Sequence, residues 1–130
     1  MSLELGIKGS ASCTVTKDLT AKALRSGGLD VFATPIMIAL MEEASLVSVR
    51  PYLEPGMDTV GTHLDVSHLS PTPVGMKVTA ESELIEIDRR RLVFAVKAYD
   101  ETGLIGEGKH ERFIVDMDKF TAKSEAKMAK

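Results

Sequence analysis

The sequence predicts an α+β fold in which an antiparallel β-sheet wraps around one long central helix. One nearly continuous apolar segment, Pro35 to Val49, has the length and composition of an enclosed helix. After Gly56, the chain alternates apolar and polar residues in segments separated by turns, the pattern of antiparallel strands with one apolar face. Such a sheet and a single apolar helix bury most surface when the sheet curls around the helix.

The ends of the central helix are marked by residue types with known preferences. Thr34 followed by Pro35 predicts the start, because threonine caps free backbone N–H groups and proline fits the first helical turn. The helix is predicted to end near Arg50, since Pro51 and the turn Glu54-Pro55-Gly56 follow it.

Five strands are predicted around this helix. They are Ser10 to Thr16, Thr59 to His68, Lys77 to Asp88, Arg91 to Asp100 and Leu104 to Asp116, and Arg25 to Asp30 is a loop. Period-two alternation gives each strand a core-facing set. These sets include Val60, Thr62, Leu64, Val66 and His68, then Val78, Ala80, Ser82 and Leu84, then Leu92, Phe94, Val96 and Ala98. The arrangement is that of the hot-dog fold; an open sandwich with a flatter sheet fits the same pattern.

Length and charge limit what the chain can do. Its 130 residues, 44% of them hydrophobic, predict a single domain over residues 1–120 and a charged, frayed C-terminal tail over residues 121–130. A net charge of −3 with scattered lysines and arginines predicts no nucleic-acid partner. We expect no membrane segment and a cytoplasmic location, because no signal peptide or long apolar run is found. Cys13, the single cysteine, is predicted to be a packing residue.

Glu42 is the most informative residue of the predicted helix. An ionised carboxylate among apolar neighbours such as Ile38 and Leu46 costs several kcal/mol unless it is paired or used. Glu43, in contrast, shares a polar stripe with Arg50. Two interpretations of Glu42 follow: a boundary residue that reaches into water along its aliphatic stem, or a functional carboxylate.

His68 and Thr34 provide two further candidate groups. The alternation turns His68 toward the helix at the end of a strand, just before the loop Leu69 to Pro73. A histidine with a pKa of about 6.5 carries protons near neutrality, and a nearby Glu42 carboxylate would tune it. Thr34 lies at a helix start, where negative charge is stabilised. The alternatives are a structural histidine and a threonine that only caps the helix.

Several short segments match the signature of one protein family. They are Val31-Phe32-Ala33-Thr34, Met41-Glu42, Gly61-Thr62, Ser67-His68 ahead of Thr72-Pro73, and Gly106 to Arg112. In these segments the chain resembles the fluoroacetyl-CoA thioesterase-like family of hot-dog fold thioesterases. The resemblance implies an acyl-CoA thioesterase acting on a small or medium acyl group, with Thr34, Glu42 and His68 as catalytic triad. Gly61 and Arg112 would bind substrate, with no metal and no cofactor other than the coenzyme A of the substrate.

The resemblance also implies a homodimer with sites at the subunit interface, and it leaves open whether dimers pair further. The chain departs from the family pattern at Gly27-Gly28-Leu29-Asp30, where an aromatic lid residue is expected, and at Glu43. It therefore implies the reaction but not the acyl group. Whether Glu42 attacks the thioester or activates water stays open. A non-catalytic acyl-CoA binding or sensing protein and a hot-dog dehydratase are the alternative functions.

Overall fold

The computed structural model, which describes residues 2–128, contains one five-stranded antiparallel sheet and one long helix that contacts every strand. The strands are β1 (Lys8–Thr14), β2 (Met57–His68), β3 (Lys77–Asp88), β4 (Arg91–Asp100) and β5 (Gly103–Asp116). The helices are α1 (Ala21–Leu24), α2 (Thr34–Val49) and α3 (Met117–Glu125). The sheet order is β1-β3-β4-β5-β2, so β1 and β2 are its edges. The predicted architecture, a sheet wrapped around a central helix, is confirmed.

The core lies between α2 and the concave face of the sheet. Helix α2 buries Met37, Leu40, Met41 and Ala44. Strands β3 and β4 bury the residues predicted for their inner faces, namely Val78, Ala80, Ser82, Leu84, Leu92, Phe94, Val96 and Ala98. Each large apolar side chain buried in this way contributes roughly 1.5–3 kcal/mol. The half-buried Cys13 packs against the same core, as its predicted role requires.

The predicted inner face of β2 is wrong in its first half. A bulge lies between Gly61 and His63, where the pairing with β5 shifts by one residue. An extra residue reverses the alternation, so Thr59 and Gly61 face the helix in place of Val60 and Thr62. After the bulge, the helix-facing residues are Leu64, Val66 and His68. Alternation in the sequence cannot reveal such a shift, because it depends on the register with another strand.

The start of α2 also differs from the prediction. Thr34 is the first helical residue, and Ala33, in an extended conformation, occupies the cap position without a side-chain hydrogen bond. The prediction that Thr34 caps the helix is therefore wrong. Its hydroxyl instead contacts a residue of β2, which is described below.

The C-terminal segment is more ordered than predicted. Helix α3 crosses residue 120 and continues to Glu125, with the Asp116 side chain accepting a hydrogen bond from the Lys119 N–H (3.0 Å). The expectation of a frayed tail is thus wrong for residues 121–125, whereas residues 129–130 lie outside the described part. Within residues 2–128, no helix is long and apolar enough to cross a membrane.

Gly9 sets the distance between α2 and the edge strand β1. A Cβ atom at Gly9 would lie 2.2 Å from the Ala44 carbonyl oxygen and 2.7 Å from Ser48 Cβ. Because the first contact is with helix backbone, no side-chain rotation relieves it. Helix α2 can therefore pack this closely on β1 only because position 9 has no side chain.

We predict that Gly9→Ala lowers the free energy of unfolding by about 1–3 kcal/mol, the usual cost of forcing extra atoms into a packed core. Gly28→Ala is the matched control, because a Cβ there meets no atom within 4 Å. Urea denaturation of both variants measures the difference. Equal unfolding free energies for the two variants would show that α2 does not rest on β1 at this point.

Candidate active site

Thr34 and His68 form the first cluster of candidate residues. Thr34 begins α2 and His68 ends β2, and Thr34 Oγ1 and His68 Nδ1 share a hydrogen bond of 2.7 Å. The first turn of α2 comes close to the sheet here because Gly106, opposite His68 on β5, has no side chain. A Cβ at Gly106 would lie 2.5 Å from the Met37 sulfur atom. The close packing of α2 on β5 therefore brings the hydroxyl to the imidazole.

The protonation of His68 follows from its surroundings. Burial lowers the pKa of His68, so the imidazole is neutral at pH 7. Its Nε2 atom is buried and has no hydrogen-bond partner among residues 2–128. Because an unpaired buried N–H is rare, we assign the proton to Nδ1, which then donates to Thr34 Oγ1. This assignment leaves the Thr34 hydroxyl proton free to bind a ligand.

Glu42, Gly61 and Arg112 form the second cluster. The Glu42 carboxylate lies 3.9 Å from Arg112 Nη1, and its side chain is 38% exposed, whereas that of Arg112 is 7% exposed. A Cβ at Gly61 would lie 2.7 Å from Glu42 Oε2. Glu42 thus lies over the paired residues Gly61 and Arg112 of β2 and β5. Glu42 is therefore partly exposed, as a boundary residue would be, and is also paired with a buried cation.

Arg112 is held by two residues that sequence reasoning did not select. Its Nε donates to Thr59 Oγ1 (2.8 Å), its Nη2 to the Thr59 carbonyl oxygen (2.9 Å) and its Nη1 to His110 Nε2 (3.1 Å). His110 is completely buried. His110 lies two residues before Arg112 in β5, so strand alternation indicates that both side chains face the helix. The contact between Arg112 and Thr59 could not be found in this way, because it depends on the pairing of β2 with β5.

The structure does not bring the three predicted catalytic residues together within one chain. Thr34 and Glu42 are eight residues apart on α2, which corresponds to about 12 Å along a helix axis. On β2, Gly61 and His68 are seven positions apart, which corresponds to roughly 20 Å along a strand. The expected contact between Glu42 and His68 is therefore absent from the described residues of a single chain, which holds the triad as two separate clusters.

Metal-binding groups and surface depressions do not point to another site. Within residues 2–128, no group of three His, Cys, Asp or Glu side chains is placed to hold a metal ion. One depression of about 490 Å³ lies at β1, β3 and β4, where Lys8, Glu81 and Lys97 contribute to its lining. Another, of about 520 Å³, lies at the turn that includes Arg89. Neither includes a residue of the two clusters.

The half-buried His68 and the buried His110 make stability depend on pH. Burial is the main cause that lowers the pKa of both His68 and His110 in the folded chain, whereas an unfolded histidine titrates near 6.5. The unfolded state therefore binds more protons as the pH falls below about 6.5, and the free energy of unfolding decreases until the lower folded-state pKa values are passed.

We predict that urea denaturation between pH 7.5 and 5 shows this decrease, and that His68→Gln makes it smaller. His63→Gln is the control, because that ring is exposed. A decrease of the same size in His68→Gln and in the unmodified protein would show that His68 is not buried in its neutral form.

Comparison with known proteins identifies the family. The family model of fluoroacetyl-CoA-specific thioesterases matches residues 15–118. The fluoroacetyl-CoA thioesterase of Streptantibioticus cattleyicolor is 45% identical over 94 residues, which are 72% of this chain and 68% of that protein. The solved structure of the fluoroacetyl-CoA thioesterase FlK has a TM-score of 0.92 at 35% identity and covers 98% of both chains. FlK variants have also been solved with acetyl-CoA and with fluoroacetate and CoA.

A more distant structure shows how widely the fold is shared. A hot-dog-like protein from Thermanaerovibrio acidaminovorans is 23% identical, with a TM-score of 0.86, over 96% of this chain and 93% of that chain. This likeness concerns the fold alone. The protein therefore has the hot-dog fold predicted from its sequence, and the chain belongs to the fluoroacetyl-CoA-specific thioesterase family.

Proposed function

We propose that the protein hydrolyses a small or medium acyl-CoA thioester at sites shared by two copies of the chain. Its family membership makes it a thioester hydrolase. In each proposed site, Thr34 and His68 come from one copy, and Glu42, Gly61 and Arg112 come from the other. The observation that carries the proposal is the separation of these two clusters, about 12 Å along one rigid helix.

Edge strand β2 supports the homodimer. It is twelve residues long and pairs with β5 on one side only. A long strand edge with free N–H and C=O groups favours pairing with another strand. When two β2 strands pair about a two-fold axis they run antiparallel, so the Gly61 end of one lies beside the His68 end of the other. A two-fold axis near Leu64 and Asp65, midway between Gly61 and His68, would place the Thr34 and His68 cluster of one copy beside the Glu42 cluster of the other.

Apolar side chains beside the clusters also support this interface. Leu64, which lies between the two clusters on β2, is 38% exposed, and Ile38 and Leu46 on either side of Glu42 are half-buried. A second copy would cover them and exclude water from the carboxylate. Electrostatic interactions strengthen in such a water-poor site. The dimer is therefore the proposed functional unit, and pairing of dimers would add no residue to the proposed sites.

The proposed chemistry divides between the clusters. Glu42 attacks the thioester carbonyl carbon or removes a proton from the water that does so. The Thr34 hydroxyl and the positive end of the α2 dipole stabilise the oxyanion. The C–S bond then breaks. If Glu42 is the base, the proton that it took from water passes to the departing thiolate; if Glu42 is the nucleophile, the thiolate takes a proton from solvent, and water then hydrolyses the acyl–Glu42 anhydride. His68 keeps its proton and orients the Thr34 hydroxyl through their hydrogen bond. Water supplies the new oxygen, and the products are a carboxylic acid and coenzyme A; the proposed steps use only these side chains and water, with no metal or redox cofactor assigned to them.

We predict that Glu42→Gln lowers kcat by a factor on the order of 10² or more, because the amide can neither attack nor accept a proton. Glu43→Gln is the matched control, since Glu43 is the adjacent residue and is exposed. The measurement is thiol release from a series of short, branched and aromatic acyl-CoA esters. An active Glu42→Gln enzyme would contradict the proposed mechanism, and no release from any ester would favour the acyl-CoA binding alternative.

We predict that mixing inactive Thr34→Ala and Glu42→Gln chains restores thioesterase activity. A mixed dimer has one site with an intact Thr34 and an intact Glu42 and one site lacking both. Random exchange should therefore restore about a quarter of the unmodified activity. The variants are refolded together and separately, and thiol release is compared. If the mixture of folded dimers stays inactive, each site belongs to one chain and the shared-site proposal is wrong.

A further inference from the structure

We infer that His110 and Thr59 are positioning residues that hold the Arg112 guanidinium against the Glu42 carboxylate. The inference rests on the proposed function, in which Glu42 acts on the thioester. It concerns two buried residues with no role in the triad or in the predicted substrate contacts. Their effect on the reaction passes through Arg112, so they need not touch the substrate.

The hydrogen bonds of Arg112 leave it little freedom. A guanidinium has five N–H groups in one plane. One N–H each from Nε and Nη2 is directed at Thr59, and one from Nη1 is directed at His110 Nε2. Three bonds on separate nitrogens fix both the position and the plane of the group. The same Nη1 is the atom nearest Glu42, at 3.9 Å, a distance that can shorten when substrate binds.

His110 can serve this purpose only in one tautomer. Its Nδ1 lies 2.9 Å from the His63 carbonyl oxygen, which can only accept, so Nδ1 carries the proton. Nε2 is then free to accept from Arg112. The ring also stacks on Phe94, with 6.4 Å between centroids. Burial, and to a smaller extent the Arg112 charge, lowers the pKa of His110. The hydrogen bond to the His63 carbonyl and the charges of Glu42 and Glu111 act in the opposite direction, but the net shift is downward, so the ring is neutral at pH 7 and keeps its acceptor.

The convergence of polar groups at one point argues against a merely structural network. A Cβ at Gly61 would lie 2.7 Å from Glu42 Oε2, 3.2 Å from His110 Cε1 and 3.4 Å from Arg112 Nη1. Burying an arginine is costly, and an apolar residue would fill a purely structural position at least as well. Arg112 lies behind the carboxylate and is 7% exposed, whereas Glu42 is 38% exposed. The network therefore holds a fixed cation behind the Glu42 carboxylate and leaves its exposed side free for the substrate.

Two variants of His110 separate positioning from packing. In His110→Gln, the amide oxygen can reach the place of Nε2 and accept from Arg112. In His110→Asn, the shorter amide can replace only Nδ1 and donate to the His63 carbonyl. We predict that His110→Asn lowers kcat about 10- to 100-fold, with a smaller change in KM, as loss of a supporting hydrogen bond does at other sites. His110→Gln should recover most of that loss.

Thr59 offers an independent pair of variants. Thr59→Val keeps the shape but removes the hydroxyl that accepts from Arg112 Nε, whereas Thr59→Ser keeps it. We expect kcat to fall in the valine variant and to be largely retained in the serine variant. Neither His110→Asn nor Thr59→Val should lower the residual kcat further in a Glu42→Gln background, because their effect passes through the carboxylate. Urea denaturation of every variant controls for loss of folding.

The outcomes distinguish this inference from the proposed function. If His110→Asn and Thr59→Val keep the unmodified kcat while Glu42→Gln is inactive, the positioning role is wrong and the proposed function stands. Equal losses in the Asn and Gln variants that follow their stabilities would reduce the network to a structural one. A fully active Glu42→Gln enzyme would instead contradict the proposed function itself. If His110→Asn does not fold, the Thr59 pair still provides the test.

Discussion

The close packing of α2 on the sheet is the constraint on which the candidate site depends. The helix touches the sheet at places without side chains, below Ala44 at Gly9 and below Glu42 at Gly61. Between these places, large apolar side chains fill the space. Because a packed core resists small displacements, α2 neither slides nor rotates freely. The polar groups of α2 therefore have fixed positions over particular strands.

The same rigidity explains why assembly and catalysis belong together in the proposed mechanism. A helix keeps residues eight positions apart at about 12 Å, so no adjustment within the chain brings Glu42 to Thr34. The edge strand β2 contains Gly61 in its first half and ends at His68, so it too holds the two clusters apart. If two β2 strands pair about a two-fold axis, the Gly61 half of one copy lies beside the His68 end of the other. The interface that covers exposed backbone groups would also complete two equivalent sites.

Sequence patterns predicted the elements well and the contacts between remote strands poorly. The long apolar segment and the alternation in β3 and β4 identified the helix and most of the core, since burial dominates those positions. The bulge near Gly61 was not predictable, because it arises from pairing with β5. Thr34 had the right residue type for a cap, yet the backbone begins the helix one residue earlier. His110 gave too weak a signal, because the His63 carbonyl group that fixes its tautomer is 47 residues away in sequence.

The charges of the two clusters are compatible with the proposed dimer, in which the cluster of one copy faces the other cluster of its partner. One cluster holds a carboxylate whose charge is already opposed by Arg112. The other holds a histidine that burial keeps neutral, beside the first turn of a helix, where negative charge is stabilised. Bringing them together buries a carboxylate that already has a cationic partner, so the desolvation cost is lower than that of an unpaired charge. A thioester carbonyl between them would meet an anionic group on one side and hydrogen-bond donors on the other, which is the polarity that acyl transfer requires.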